Sequence, residues 1–337
     1  MGPAATRGSL KGAVFHSDHG SVAEATVASV EQRASGAHEA PDSALVAQLL
    51  REQAPHLSTQ PVTPTRGSGS SNWVLRLGQD HAVRLPRRDS YVDDLLKEAA
   101  WLPRLGPELN VPVPEVVFAG RPSPTFPRPW TVVTWVPGEL PGRQSPSEQD
   151  HLARSLGRFA RSLHAADTLG QPAGAEHWGY RSGNPVTDQI DGWADGAADG
   201  LADLFDPRQI REAWRRVRQV PPASAPPCWI HTDLSAENLL VGPGGELVGV
   251  IDFGALGIGD RSADLLYAWS LFDQQARETL RVESNADEAT WLRARAWAFV
   301  GPGILTIETY QHSMAERTKR LITMVEAIAA EVGVTLR

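Results

Sequence analysis

The chain has 337 residues, of which 41% are hydrophobic and 21% charged, so its composition supports a sizeable core in two lobes and excludes global disorder. The formal net charge is −8, whereas proteins that bind nucleic acids usually carry an excess of basic residues. No run approaches the roughly 18 apolar residues of a membrane span. The acidic charge therefore argues against a nucleic acid as partner, and the lack of a long apolar run argues against a membrane. The single cysteine, Cys228, excludes an internal disulfide and predicts a reducing, cytoplasmic location.

The first part of the chain predicts a flexible extension and then a small lobe built on an antiparallel sheet. Residues 1–40 are rich in Ala, Gly, Ser and His with little apolar periodicity, so we predict an extension without a core. Residues 41–136 alternate short apolar runs with turn residues, which predicts an α+β N-lobe. The predicted elements are a helix from Asp42, a hairpin of Trp73–Leu77 and His81–Leu85, a helix over Tyr91–Trp101 ended by Pro103, and strands over Val113–Phe118 and Trp130–Val136.

Residues 137–337 are predicted to form a mostly helical C-lobe that carries the catalytic loop and the substrate site. Ser145, Pro146 and Glu148 form a capping-box start, and apolar residues follow it at helical spacing. The one clear β element in this half is a hairpin around Gly245. Further helices are predicted over 188–204, 207–219, 262–281, 287–310 and 312–332. The chain as a whole is therefore predicted to be a bilobal α+β protein.

The sharpest chemical signal flanks the predicted hairpin. His231, Asp233 and Asn238 have the spacing His-x-Asp-x-x-x-x-Asn, and Asp252 opens an Asp-Phe-Gly triplet after the second strand. Together these motifs form the catalytic-loop and metal-binding signature of protein kinases. Their joint occurrence at so short a distance favours this interpretation over an ordinary polar loop before a hairpin.

The hairpin also predicts how these side chains act together. Asn238 and Asp252 are equally distant from Gly245 in sequence, so folding brings them together at the open end of the hairpin. An amide oxygen and a carboxylate are the hard ligands that Mg²⁺ prefers. Asp233 is expected to face a substrate hydroxyl and to accept or orient its proton during phosphoryl transfer.

Phosphoryl transfer also requires groups that hold the nucleotide phosphates. Arg84 lies on a predicted strand, on the face opposite its apolar neighbours, and is the candidate cation. Glu98 interrupts a leucine-rich helix face, so we predict that it pairs with Arg84; the alternative is a solvated residue at the edge of that face. The loop containing Ser68, Gly69 and Ser70 is predicted to cover the triphosphate with backbone N–H groups, with a plain linker as the alternative.

The end of the last N-lobe strand is the candidate site for the nucleobase. Backbone groups of Thr134 and Val136 are predicted to hydrogen-bond adenine or guanine, whereas the side chains of this segment suit ordinary strand core.

With these residues in place, the sequence resembles the aminoglycoside phosphotransferase family, which comprises small-molecule kinases with a protein-kinase-like fold. The strongest match covers 229–269, and a weaker match covers 72–137. The resemblance implies ATP or GTP as the cosubstrate with Mg²⁺. It also implies a role for each matching residue: Asp233 as catalytic base, Asn238 and Asp252 on the metal, Arg84 on the phosphates and Glu98 orienting Arg84.

The sequence departs from the family pattern at three positions near these residues. Arg84 stands where lysine is more usual, and Ser235 and Ala236 replace a frequent histidine and proline. None of these changes removes a metal ligand or the base, so an active enzyme is favoured over an inactive one.

The family places its substrate site in the helical segment before the catalytic loop, where this chain carries a regular series of carboxylates. Six aspartates follow one another at steps of three or four residues: Asp188, Asp191, Asp195, Asp199, Asp203 and Asp206. The first three are candidates for binding a cationic acceptor through charge-assisted hydrogen bonds. A solvated helix face on an acidic protein is the favoured alternative, because like charges four residues apart are costly in a pocket.

The expected function is the transfer of the γ-phosphoryl group of ATP or GTP to a hydroxyl of a small molecule. An aminoglycoside or a related antibiotic is the first candidate, in which case phosphorylation would confer resistance. The alternatives are a metabolic kinase acting on an amino sugar, a choline-like alcohol or a macrolide, and a nucleotide-binding pseudokinase or sensor.

Overall fold

The computed structural model describes residues 40–65, 71–171, 173 and 188–337. These residues form a small sheet lobe followed by a larger helical lobe, which confirms the predicted α+β class. The sheet lobe contains helices α1 (Ser43–Gln53) and α2 (Val92–Leu105) and strands β1 (Val62–Pro64), β2 (Asn72–Leu77), β3 (His81–Pro86), β4 (Val116–Gly120) and β5 (Trp130–Thr134). Most of the predicted extension, residues 1–39, lies outside the described part of the chain.

The five strands form one antiparallel sheet in the order β1-β2-β3-β5-β4. The predicted hairpin is confirmed: β2 and β3 pair from Asn72 opposite Pro86 to Leu77 opposite His81. Gly78 in its turn has φ of +60°, a left-handed conformation that glycine adopts without steric strain. The short strand β1, which was not predicted, extends the sheet beyond the hairpin.

Helix α1 packs against this sheet. It begins after Asp42, whose Oδ1 accepts the backbone N–H of Leu45 at 2.8 Å and so satisfies one of the free donors of the first turn. Val46, Leu49 and Leu50 are buried in one apolar cluster with side chains of β2, β3 and β5. The predicted helix is thereby confirmed, and this cluster is the core of the sheet lobe.

Helix α2 continues past the proline that was predicted to end it. Pro103 lies inside the helix, which ends at Leu105, and the N–H of Gly106 still bonds the carbonyl of Leu102. The proline therefore removes one helical hydrogen bond without stopping the helix. Leu102 and Leu105 are buried in the core of the helical lobe, and this packing outweighs the missing bond.

In its described residues, the helical lobe contains two short antiparallel strand pairs and most of the helices. Its helices are α3 (Pro146–Ala165), α4 (Asp188–Gly200), α5 (Pro207–Val217), α6 (Ala268–Leu271), α7 (Gln274–Glu283), α8 (Glu288–Ala298), α9 (Thr306–Tyr310) and α10 (Ala315–Glu331). Its strand pairs are β7 (Leu239–Val241) with β8 (Leu247–Val250), and β6 (Cys228–Ile230) with β9 (Gly257–Gly259). The capping box at Ser145 and Glu148 and the β7–β8 hairpin confirm their predictions, whereas the β6–β9 pair was not predicted.

The predicted helix over 262–281 is wrong as a single element. The chain forms a 3₁₀ turn at Arg261–Leu265 and then the separate helices α6 and α7. Helix α7 starts anew because Asp273 caps it, accepting the N–H of Ala276 at 2.9 Å.

The predicted helix over 287–310 is also interrupted. Helix α8 runs into a π-helical segment, Phe299–Leu305, before α9 begins. Pro302 has no N–H to donate, and Gly303 has non-helical dihedral angles, so regular α-helical bonding cannot continue there.

Backbone hydrogen bonds hold the segment between the lobes against the β7–β8 hairpin. Glu139, which follows the last strand of the sheet, exchanges two hydrogen bonds with Val241 of β7, at 3.1 and 2.8 Å. The division at 136/137 stays a prediction. Among the residues that the structure describes, none of the helices combines the length and apolar character that a membrane crossing requires.

Candidate active site

The loop after β6 is held in a strained conformation by a buried carboxylate. Thr232 has φ of +70°, which is unfavourable for a β-branched residue. Its N–H donates to Asp264 Oδ1 at 2.7 Å, and the other oxygen of Asp264 is 2.9 Å from His164 Nε2. Asp264 and His164 are both largely buried, so they hold the loop in this conformation from the interior of the protein.

His231 links this loop to the Asp-Phe-Gly segment. Its Nδ1 accepts the N–H of Asp233 at 3.3 Å, and its Nε2 lies 3.1 Å from the carbonyl of Ile251. The ring also contacts Phe253 edge-on, with centroids 4.6 Å apart. His231 is thus a core histidine that braces the loop.

Asn238 and Asp252 lie at the open end of the β7–β8 hairpin. Leu239 pairs with Val250, and the carbonyl of Asn238 accepts the N–H of Ile251 at 3.0 Å, which places Asp252 one residue further along. The side-chain N–H of Asn238 donates to the carbonyl of Asp233 at 2.8 Å, which leaves its Oδ1 as an acceptor. The hairpin therefore places the two predicted metal ligands at its open end, and the hydrogen bond of Asn238 ties the predicted base to them.

Arg84 connects the sheet lobe to this cluster. Its Nη1 pairs with Glu98 on α2, and its Nη2 pairs with Asp252 Oδ1 at 3.1 Å. Glu98 is only 2% exposed, so the alternative of a solvated glutamate is wrong. The pairing predicted from the leucine-rich helix face is confirmed, and it extends to the Asp-Phe-Gly aspartate.

Burial and charge act in opposite directions on Arg84. Burial alone would lower the pKa of its guanidinium, but the attraction of Glu98 and Asp252 outweighs that effect and raises the pKa above its ordinary value. Arg84 is therefore a fixed cation at the junction of the lobes.

Two backbone N–H groups at the end of β5 and just after it are already hydrogen-bonded within the protein. The N–H of Thr134 donates to the carbonyl of Glu115 at 2.9 Å, and the N–H of Trp135 donates to the carbonyl of Asp80 at 2.7 Å. Val136 is buried against Gly249 of β8, where a side chain would collide with it. Base binding at Thr134 and Val136 stays a prediction, and the predicted phosphate loop of Ser68, Gly69 and Ser70 lies outside the described residues.

The six-aspartate face is shorter than predicted. Helix α4 ends at Gly200, so Asp203 lies in the following turn, and Asp206 caps α5 by accepting the N–H of Arg208 at 2.9 Å. The glycines of the segment weaken α4, and the Asp206 cap starts the separate helix α5 after it.

Two of the three candidate acceptor ligands pair with arginines of this chain. Asp191 accepts from Arg218 Nη2 at 2.5 Å and Asp195 pairs with Arg211, while Asp188 is exposed at the start of α4. The structure thus does not join these carboxylates to the cluster around Asp233, and their acceptor role stays a prediction. Sequence reasoning missed the arginine partners, although basic residues at helical spacing on the next predicted helix were a possible signal.

Comparison with known proteins is consistent with this arrangement. The model of a family described as "Phosphotransferase enzyme family" matches residues 63–297. An aminoglycoside 3'-phosphotransferase of Streptomyces fradiae is 29% identical over 198 residues, which cover 56% of this chain and 67% of that protein. An aminoglycoside 3'-phosphotransferase of Escherichia coli is 26% identical over 147 residues, so the match spans about half of that relative (52%).

Solved structures share the fold at low sequence identity. The GDP complex of wild-type aminoglycoside 2'-phosphotransferase-IIIa superposes with a TM-score of 0.62 at 19% identity, covering 87% of this chain and all of that one (100%). A macrolide 2'-phosphotransferase from Brachybacterium faecium superposes with a TM-score of 0.55 at 20% identity, covering 84% of this chain and 97% of that one. At these identities the likeness establishes the bilobal fold.

Proposed function

The chain belongs to the phosphotransferase enzyme family, and on that premise we propose that it transfers the γ-phosphoryl group of ATP or GTP to a hydroxyl of a small, cationic molecule. The observation that carries the proposal is the double pairing of Arg84, which joins Glu98 of the sheet lobe to Asp252 of the helical lobe. A cation fixed between the lobes and next to a carboxylate suits the binding of nucleotide phosphates.

Asp233 is the proposed base. Its main chain is held on both sides, by His231 at its N–H and by Asn238 at its carbonyl, so the backbone that carries its carboxylate is fixed. It would accept or orient the proton of the attacking hydroxyl as the phosphoryl group transfers. Arg84 has five N–H donors in a planar fork and uses only part of them on Glu98 and Asp252, so further donors can contact phosphate oxygens.

The donor set at the open end of the hairpin fits Mg²⁺. Asn238 offers an amide oxygen, and Asp252 offers a carboxylate whose side chain is 40% exposed, so it remains accessible. Mg²⁺ prefers oxygen ligands and usually takes only one or two from the protein, because water and phosphate oxygens complete its coordination shell. When bound, the ion would supply positive charge to the transferred phosphoryl group.

An aminoglycoside is the first acceptor to test. The curated relatives are named aminoglycoside 3'-phosphotransferases, and one structural neighbour is described as a complex with GDP and kanamycin. The net charge of −8 also favours a cationic small molecule. Metabolic kinase activity and a pseudokinase role are the alternatives that the experiment distinguishes.

A coupled nucleotide-turnover assay with Mg²⁺ tests the proposal. ATP and GTP would each be offered with kanamycin, gentamicin, a macrolide, an amino sugar and choline. We expect turnover with an aminoglycoside and a loss of about 10²-fold or more in Asp233→Ala. Asp203→Asn, which removes an exposed turn carboxylate, is the control and should retain activity.

The alternatives have their own signatures in that assay. Turnover with the amino sugar or choline alone would make the protein a metabolic kinase. Tight nucleotide binding without turnover on any acceptor, unchanged by Asp233→Ala, would favour the sensor.

A further inference from the structure

We propose that Glu237 binds a positively charged group of the acceptor and that Arg320 is its built-in counter-ion, which the acceptor displaces. The inference rests on the proposed transfer to a cationic molecule. Arg320 Nη2 on α10 forms an ion pair with Glu237 Oε1 in the catalytic loop. The two residues are 83 positions apart in sequence.

The loop itself shows why Glu237 faces the acceptor. Residues 231–238 are all described, and within this range only Asp233 and Glu237 are not buried. A hydroxyl that reaches Asp233 must approach the loop from its solvent side. Glu237 is the other solvent-accessible side chain of this range, so it is the loop carboxylate that is available to the rest of that molecule.

Nearby carboxylates are held in other roles. Asp252 pairs with the buried Arg84, and Asp264 is 3% exposed and fixed by Thr232 and His164. Neither can exchange its partner without leaving a buried group unsatisfied.

The Arg320–Glu237 pair, by contrast, is exchangeable. The two side chains are 39% and 40% exposed, and pairs of this kind contribute at most about 1 kcal/mol because water competes with them. Helix α10 is anchored without the pair, since Leu321, Met324 and Val325 are buried in the core of the helical lobe. An ammonium group on the acceptor can therefore replace the guanidinium without disturbing the helix.

This exchange predicts opposite effects from the two partners of one ion pair. In Glu237→Gln the acceptor loses a charge-assisted hydrogen bond, and its KM and Kd should rise by about tenfold. In Arg320→Gln the competitor is removed, and the same constants should fall by about threefold. A pair with a merely structural role would shift both variants in the same direction.

The experiment measures kanamycin binding by calorimetry and kanamycin KM, nucleotide KM and kcat by turnover, for the full chain and both variants. Lys319→Gln is the matched control, because it removes one positive charge from the exposed surface of α10 next to Arg320. We expect it to change the kanamycin constants by less than about twofold. Thermal unfolding of each variant verifies that the fold is retained.

Opposite shifts in the kanamycin constants, with the nucleotide KM unchanged, would support the inference. Shifts in the same direction, no shift in either variant, or no binding of kanamycin and gentamicin to the wild-type chain would overturn it. Opposite shifts in binding without any turnover would support the inference and reject the proposed phosphotransfer, so the two failures are distinguishable.

Discussion

Arginine–carboxylate pairs occur in two very different settings in this molecule. At the junction of the lobes, the side chains of Arg84 and Glu98 are 9% and 3% exposed. On the surface of α4 and α5, the side chain of Arg211 is 37% exposed, and its partners Asp195 and Asp199 are 64% and 69% exposed. The same chemistry is thus desolvated in one region and solvated in the other.

The difference determines which region can change without loss of the fold. A buried carboxylate without its cation is strongly destabilising, because neither water nor another group replaces the lost partner. An exposed carboxylate without its cation is simply hydrated. The nucleotide side is therefore tightly constrained, whereas the surface of α4 and α5 tolerates substitution.

Arg84→Ala should have the largest effect, because it removes the shared partner of Glu98 and Asp252. We expect the free energy of unfolding to fall by about 3 kcal/mol or more, since Glu98 stays buried without its cation. Denaturant unfolding measures this loss, and nucleotide KM should rise in the same variant.

The double variant Arg84→Ala with Glu98→Gln separates the two causes. It removes the unpaired buried charge and should recover part of the lost stability without recovering nucleotide binding. A single variant as stable as the wild type would contradict the contrast between the buried and exposed pairs.

Asp264→Asn tests the buried side of the comparison at the loop itself. The variant keeps one carbonyl oxygen but cannot accept from both Thr232 and His164, so one buried donor loses its partner. We expect a loss of about 1–3 kcal/mol in the free energy of unfolding. Because Thr232 has a strained backbone, kcat should fall as well while nucleotide KM stays near its wild-type value. An unchanged kcat would mean that Asp264 does not position the loop.

Local patterns predicted much of this arrangement. The equal spacing of Asn238 and Asp252 about Gly245 identified the open end of one hairpin, and the structure confirms that hairpin with Asn238 opposite Ile251, the residue before Asp252. The single charged residue on the apolar face of α2 identified Glu98 as a buried partner. Such features are predictable because each depends on a single element or turn whose periodicity is visible in the sequence.

What could not be predicted depends on contacts between distant segments. Pro103 continues a helix because its neighbours pack into the helical lobe, and tertiary packing is invisible to local propensity. The partners of Asp191 and Asp195 lie on the next helix, and Arg320 reaches Glu237 from 83 residues away. Charge pairing of this kind requires the relative placement of helices, which periodicity does not give.

Arg211→Ala tests the exposed side of the comparison and should have a small effect. The variant removes the shared partner of Asp195 and Asp199, as Arg84→Ala does for its own two carboxylates. We expect the free energy of unfolding to change by less than about 1 kcal/mol. A loss comparable to that of Arg84→Ala would show that exposure does not govern the strength of these pairs.

The same helix pair also tests the predicted acceptor role of α4. An increase in kanamycin KM in Asp195→Asn, with stability retained, would support that role. An unchanged KM would favour the solvated-face interpretation.

Glu308→Gln should have the smallest effect on the free energy of unfolding. It extends the comparison to a carboxylate whose exposure lies between that of Glu98 and that of Asp195. Glu308 lies half-buried on α9 beside Gly200, and no described residue forms an ion pair or hydrogen bond with its carboxylate. Burial raises its pKa above the ordinary value. The folded protein therefore binds this proton more tightly than the unfolded chain does. The resulting stabilisation is complete below the ordinary glutamate pKa and is lost as the pH rises through the raised one.

Denaturant unfolding at pH 4 and pH 7 would measure this effect in the wild-type chain and in Glu308→Gln. The variant should be more stable than the wild type at pH 7, by less than about 1 kcal/mol because the side chain keeps part of its hydration, and the difference should vanish towards pH 4. Asp203→Asn, which removes an exposed carboxylate, controls for the loss of one negative charge. A difference between wild type and Glu308→Gln that is the same at both pH values would show that water solvates Glu308 as well as it solvates the exposed carboxylates of α4.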